Sequence, residues 1–148
     1  MSQYPELCTF YGSQSEEVIA SGERALGLKF PAIYRQFLSE YGAGTFRSTE
    51  IYGLIGNEAE SSVAPDAVRL TLTTRSDVEI PSNYIIIYSV GDGEVFCLDV
   101  KDNDAPVVTF TPGLSVEEQE AEVVADDFGD FLLDRVQRQI ERRNQLAV

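Results

Sequence analysis

Histidine and tryptophan are both missing from this chain, methionine appears once and cysteine twice. Without histidine, neither a Ser-His-Asp nor a Cys-His catalytic arrangement can be assembled. The two cysteines, Cys8 and Cys97, lie far apart with no CxxC spacing, and no histidine can complete a ligand set, which argues against structural zinc. A single disulfide stays open; a buried free thiol at Cys97, inside an apolar strand, is the expected state. No apolar run reaches the roughly 18 residues of a membrane span. Met1-Ser2-Gln3-Tyr4-Pro5-Glu6 has neither the basic n-region nor the apolar h-region of a signal peptide, so the expected compartment is the cytoplasm.

Basic residues are also scarce. Eleven Lys and Arg against 25 Asp and Glu leave a net charge of −14. Phosphate backbones and anionic membranes would repel such a chain, so no nucleic-acid and no membrane partner is expected. A basic protein would be attracted to it, although the same charge also serves solubility alone. No GxSxG elbow, P-loop or GxGxxG after a strand occurs. A carboxylate pair acting as acid and base is the remaining catalytic option. With 25 acidic residues some pair meets by chance, so no catalytic residue, cofactor or metal is expected. Asp99 fits a turn-initiating role ahead of Lys101-Asp102-Asn103-Asp104 better than a metal site.

What is present reads as one domain over residues 1–148, with its core at about 13–143. Ser13 followed by Glu16 has capping-box spacing and predicts the start of a first helix. Val18, Ile19, Gly22, Ala25 and Leu26 share one face of it, and Gly27 is placed to end it in a left-handed conformation. Gly22, costly inside a helix, predicts close approach of another helix. Pro31 suits the first position of a second helix, in which Phe30, Tyr34, Phe37, Leu38 and Tyr41 form a core stripe. Gly42 ends it, and Ala43-Gly44 continues a tight turn. Residues 45–55 read as extended, with Gly53 marking a bulge or a close backbone approach. Residues 57–64 form a polar loop. Pro65 opens a third helix with Ala67, Leu70 and Thr74 inward, although its threonines also suit a strand.

Tyr84-Ile85-Ile86-Ile87-Tyr88 predicts a strand buried on both faces. Gly91-Asp92-Gly93 turns the chain. Residues 94–99 return with alternating character, and Pro106-Val107-Val108-Thr109-Phe110 adds a third strand, an antiparallel meander. From Leu114 to Asp134 every charged residue is acidic, and Arg135, Arg138, Arg142 and Arg143 follow. Acid early and base late suits the dipole of a long C-terminal helix, with Val124, Phe128, Phe131, Leu132 and Val136 inward.

The stretch Leu26-Gly27-Leu28-Lys29-Phe30-Pro31-Ala32-Ile33-Tyr34-Arg35-Gln36-Phe37-Leu38-Ser39-Glu40-Tyr41-Gly42-Ala43-Gly44 resembles the signature of the SUKH superfamily. That signature is a Leu-Gly near the end of helix one, a Pro, an aromatic, a Phe-Leu pair and a Gly-rich turn. Val68-Arg69-Leu70-Thr71-Leu72, Ile80-Pro81-Ser82-Asn83-Tyr84, Gly93-Glu94-Val95-Phe96-Cys97-Leu98-Asp99 and Pro106-Val107-Val108 are similar to the family in order and spacing. The resemblance implies an α+β fold: a curled, mainly antiparallel sheet flanked by N-terminal helices and a long C-terminal helix. The matching residues Gly27, Pro31, Tyr34, Phe37, Leu38, Tyr41, Gly42 and Gly44 are scaffold, with Gly42 and Gly44 setting a turn.

Bacterial members of that superfamily are largely immunity proteins, so the resemblance implies a chain that binds a toxin and occludes its active site. The expected partner is a basic toxin domain such as a nuclease, met by a monomer or weak dimer. Candidate contacts are Glu58 and Glu60 in the polar loop, Asp92 and Glu94 at the hairpin, and Glu117, Glu118 and Glu120 before the last helix. Tyr52 is a candidate aromatic anchor, with a core role as the plainer alternative. A regulatory or scaffold adaptor without a toxin partner is the second reading. The short stretches outside the first and last helices favour a dedicated binding module over it.

Overall fold

A computed structural model describes residues 8–46, 49–55, 66–91, 93–101 and 105–146. In chain order these form β1 (Cys8–Phe10), α1 (Glu16–Leu26), α2 (Ala32–Tyr41), β2 (Gly44–Phe46), β3 (Thr49–Ile51) and α3 (Ala67–Asp77). Then follow β4 (Tyr84–Ser89), β5 (Val95–Asp99), β6 (Val107–Phe110), a 3₁₀ turn (Val116–Glu118), β7 (Val123–Ala125) and α4 (Phe128–Leu146).

Ser15, not Ser13, caps α1, its hydroxyl accepting from the Val18 N–H at 3.2 Å. Ser13 lies in a non-helical segment tied to the end of α2: Gly12 N donates to Tyr41 O at 2.9 Å and Gln14 N to Leu38 O at 3.2 Å. The buried face of α1 is Ile19, Gly22, Glu23 and Leu26, while Ala25, expected inward, is exposed. Glu23 tolerates burial because its carboxylate accepts the Phe30 N–H at 2.8 Å and pairs with Arg35 at 3.2 Å. A side chain at Gly22 would meet Val68 Cγ2 at 3.2 Å, so α1 and α3 do approach closely there. Gly27 ends α1 at φ 71°, as the sequence predicts.

Pro31 stands one position earlier than expected, as the N-cap of α2. The stripe buries Phe30, Tyr34, Phe37 and Leu38, with Tyr41 half-buried against the Phe10 ring at 4.4 Å. Gly42 adopts φ 75°. Gly44 sets no turn: it is the first residue of β2, and a side chain there would meet the Phe10 ring at 3.1 Å. Gly53 is the close approach, since a Cβ on it would lie 1.8 Å from the Gly42 carbonyl oxygen. Leu54 N donates to that same oxygen at 2.8 Å, and Ala67 N donates to Gly53 O at 2.7 Å.

Pro65 lies outside the described residues, and the helix after it is capped by Asp66, which accepts the Arg69 N–H at 2.8 Å. Burial pushes the Asp66 carboxyl above the usual carboxylate range, although backbone N–H groups of Arg69, Val68 and Ile55 pull against that. Ala67 is buried in α3 as expected, whereas Leu70 and Thr74 are only half-buried and Thr71 is fully enclosed. The Thr71 hydroxyl accepts the Ile86 N–H at 3.0 Å, fixing α3 to the sheet. Arg75 clamps two neighbours, donating to Leu26 O at 3.0 Å and Ser82 O at 2.8 Å.

Among the described residues the strands are all antiparallel, as the resemblance implies, and form two sheets ordered β1-β2-β3 and β4-β5-β6-β7. A backbone bond joins them, Tyr52 N to Ile87 O at 2.9 Å, next to a bulge in β4 between Ile86 and Tyr88. One face of the larger sheet (Ile85, Ile87, Tyr88, Phe96, Leu98, Val107) packs with the helices in the main core. The opposite face (Tyr84, Ile86, Val95, Cys97, Val108, Phe110) carries a second cluster roofed by Leu70, Ile80, Tyr52 and Val116. Because both faces are covered, every residue of β5 is buried, not the alternate ones. Cys97 is a buried free thiol.

The C-terminal third departs most from expectation. Residues 119–127 are not helical; Val123-Val124-Ala125, two of them β-branched, pair with β6 as a short strand. Val124, expected inward on the helix, is therefore exposed on β7. Asp127 stops the helix from starting sooner by capping it, accepting the Asp130 N–H at 2.8 Å. Of the acidic run only Asp130 falls in the first turn of α4, so helix electrostatics account for little of it.

Gly53→Ala is expected to destabilise the fold by about 3 kcal/mol or more, because the obstacle is backbone that cannot move aside. Gly27→Ala, strained in φ but facing open space, is expected to cost about 1 kcal/mol. Urea denaturation of both variants checks the contrast; equal effects would contradict it.

Candidate protein-binding surface

Of the residues singled out as contacts, Glu58, Glu60 and Asp92 lie outside the described residues. Tyr52 is half-buried and packs against both clusters. Its carbonyl accepts the Tyr34 hydroxyl at 2.8 Å while its N–H joins the two sheets, so its role is in the seam of the fold. Burial, with Glu50 and Tyr88 close by, pushes its phenol upward. Glu94 is half-exposed just before β5. Glu117, Glu118 and Glu120 are exposed in the connection from β6 to β7.

The register places Glu94 at the end of the larger sheet from which the acidic connection departs. Val95 pairs with Phe110, so Glu94 and Thr111 are the next residues out, and the acidic connection leaves from there. It is a built loop. Gln119 accepts the Thr111 N–H at 2.9 Å and donates to Thr111 O at 3.1 Å and Leu114 O at 3.3 Å, closing residues 111–119 on themselves. Ser115 caps the 3₁₀ turn through the Glu118 N–H at 3.3 Å. Val116 folds back over the second cluster, and its N–H reaches Glu79 at 3.3 Å. The sequence gives no cue for Gln119, which reads as one more solvated residue among glutamates. The loop then re-enters the sheet where Thr109 N donates to Glu122 O at 3.0 Å.

This arrangement offers negative charge, and Leu114, Val123 and Val124 are exposed in the same stretch of chain. Residues 102–134 contain no Lys or Arg to offset the charge. Among the described residues no group of three or more His, Cys, Asp or Glu is arranged to hold a metal ion. The Cys97 thiol lies inside the second cluster, where burial and then Asp99 push it upward and keep it protonated. Asp99 is itself buried and committed, accepting from Asn83 and pairing with Lys101 at 3.3 Å. It ties the turn before β4 to the end of β5, a role close to the turn function expected of it. On the opposite face Arg135 lies over the rings of Tyr88, Phe96 and Phe131 at 4.9–5.2 Å, locking α4 to the hairpin end of the sheet.

Among the described residues four helices, the long C-terminal one included, and two antiparallel sheets make this an α+β protein. A family model, SUKH_6, described as SMI1-KNR4 cell-wall, matches residues 16–132. The chain belongs to that family. The match runs from the first residue of α1 into α4 and includes the acidic loop and β7. No curated protein matches the chain. Among the described residues no helix is long and apolar enough to cross a membrane.

Replacing Gln119 with Ala removes the bonds that close the loop. The expected cost is about 1–2 kcal/mol, with faster amide exchange at Thr111 and little change in the β4–β5 ladder. Unaltered exchange at Thr111, measured by NMR, would show that the loop is held by other means.

Proposed function

We propose that this protein is an immunity-type binder that neutralises a cognate toxin by covering its active site, the partner being a basic domain such as a nuclease. The observation that carries the reading is the match to the SMI1-KNR4 family over residues 16–132, in a chain of net charge −14. The built loop of residues 111–119, with Glu117 and Glu118 exposed and Glu120 just beyond it, adds to that support. The protein acts in the cytoplasm and turns over no substrate in this reading. The sequence has no histidine, its buried thiol is protonated, and Asp99 is occupied by its neighbours.

Association with such a toxin should be faster than the uncharged baseline of about 10⁵–10⁶ M⁻¹s⁻¹ and should slow as salt rises. Reversing Glu117, Glu118 and Glu120 together should slow it while leaving the fold intact, since exposed charges contribute little to stability. Reversing Glu17, Asp77 and Glu141, exposed acids elsewhere, is the control; Glu16 and Glu23 are unsuitable because both pair with Arg35. Stopped-flow kinetics with the product of the adjacent gene decides the matter, and equal effects from both triple reversals would reduce the acidic run to solvation.

The purified protein, assayed with phosphoesters, esters, peptides and nucleotides with and without divalent metals, should show no turnover. A saturable activity lost on changing one carboxylate, with the fold intact, would replace this reading with an enzymatic one.

A further inference from the structure

β7 is the last strand of the larger sheet, hydrogen-bonded on one side to β6 and on the other to no strand of the described chain. Such an edge presents a row of backbone donors and acceptors, and proteins normally blunt it with charge or cover it. Here the strand itself is apolar and open, with Val123 58 % and Val124 38 % exposed. The charge sits at its two ends: Glu120 and Glu122 before it, Asp126 and Asp130 after it, all exposed.

We propose that the outer edge of β7 is the docking line of this protein, and that it takes an extended basic segment of the partner as a fifth strand. The proposal rests on the binding reading above and names the surface and the chemistry of what binds there. Charge decides between the possible occupants. A second copy pairing antiparallel about Val124 would set Glu122 of each chain against Asp126 of the other, and like charges directly opposite destabilise a ladder. A segment with Lys or Arg about four residues apart would instead place its cations against Glu122 and Asp126 and its apolar centre against Val124, with Val123 meeting the next residue along. The strand is three residues long and bulged at its pairing with β6, between Val107 and Val108, so it offers few ladder bonds. The side chains must therefore supply most of the selectivity. The same acids that bar self-pairing choose the partner.

The probe is a capped peptide, Lys-Thr-Val-Thr-Lys, titrated into the full-length protein at low salt with NMR shifts as the readout. Shifts are expected to centre on residues 120–126 and to be absent with Glu-Thr-Val-Thr-Glu. The double variant Val123→Lys/Val124→Lys should weaken binding by about fivefold or more, the loss of two cross-strand pairs. Because those changes could disturb β7 itself, Glu122→Lys/Asp126→Lys provides a second route, expected to weaken the lysine peptide and admit the glutamate one. Shifts that are absent or centred elsewhere, equal binding of both peptides, or a dimer in sedimentation that Val124→Lys dissolves would each overturn the proposal. The two readings fail separately. Full neutralisation of a toxin by a folded Val123→Lys/Val124→Lys variant would remove the edge and leave the immunity function. Lysine-peptide binding at β7 with a partner that is no toxin would do the reverse.

Discussion

The carbonyl oxygen of Gly42 occupies the place where any side chain on Gly53 would have to be, and much of the molecule is arranged around that contact. The oxygen accepts the Leu54 N–H, and Gly53 in turn accepts from Ala67, so the end of α2, the segment after β3 and the start of α3 are bound within a few ångströms. One residue earlier, Tyr52 joins the smaller sheet to the larger through Ile87 and receives the Tyr34 hydroxyl from α2. Two residues without side chains thus allow three elements to share one backbone junction. The aromatic packing of Tyr34, Phe37 and Phe128 closes over it.

Charge is handled in two opposite ways. Inside, it is partnered: Glu23 accepts a backbone N–H and an arginine, Asp66 caps a helix, and Asp99 bridges two turns. Each carries the burial penalty because its neighbours replace the lost water. Arg35 reaches outward from Glu23 to Glu16, whose carboxyl is held low mainly by that hydrogen bond. Outside, along residues 111–130, acids stand without cations beside exposed valines. Scaffold and surface obey different electrostatic rules, and the boundary between them is the end of β6.

Where local chemistry alone decides the backbone, the sequence was readable. The stripe from Phe30 to Leu38, the left-handed Gly27, the buried strand from Tyr84 and the turn at Gly91 all follow from period, side-chain shape or permitted φ. Where two partners distant in the chain decide it, the sequence was silent. Ser13 has capping-box spacing, yet bonds from its neighbours to the end of α2 hold it outside the helix. Gly44 looks like a turn residue, but its smallness accommodates Phe10. Val123 and Val124 stand shortly before a helix in sequence, and pairing with β6 makes them a strand. The same limit applies to the surface: the acids were visible from composition, whereas Gln119, which shapes the loop carrying them, acts through carbonyls whose position the chain does not announce.

The burial of Cys97 has a consequence for how this protein meets an oxidant. Its sulfur lies in the middle strand of the second cluster, fully enclosed, and its reactive thiolate form is disfavoured by its surroundings. Peroxide or a disulfide reagent therefore gains access only when the ladder from β4 to β6 opens. The rate at which Cys97 is modified is a clock on that opening, placed by the fold at the centre of the sheet whose edge is exposed at β7.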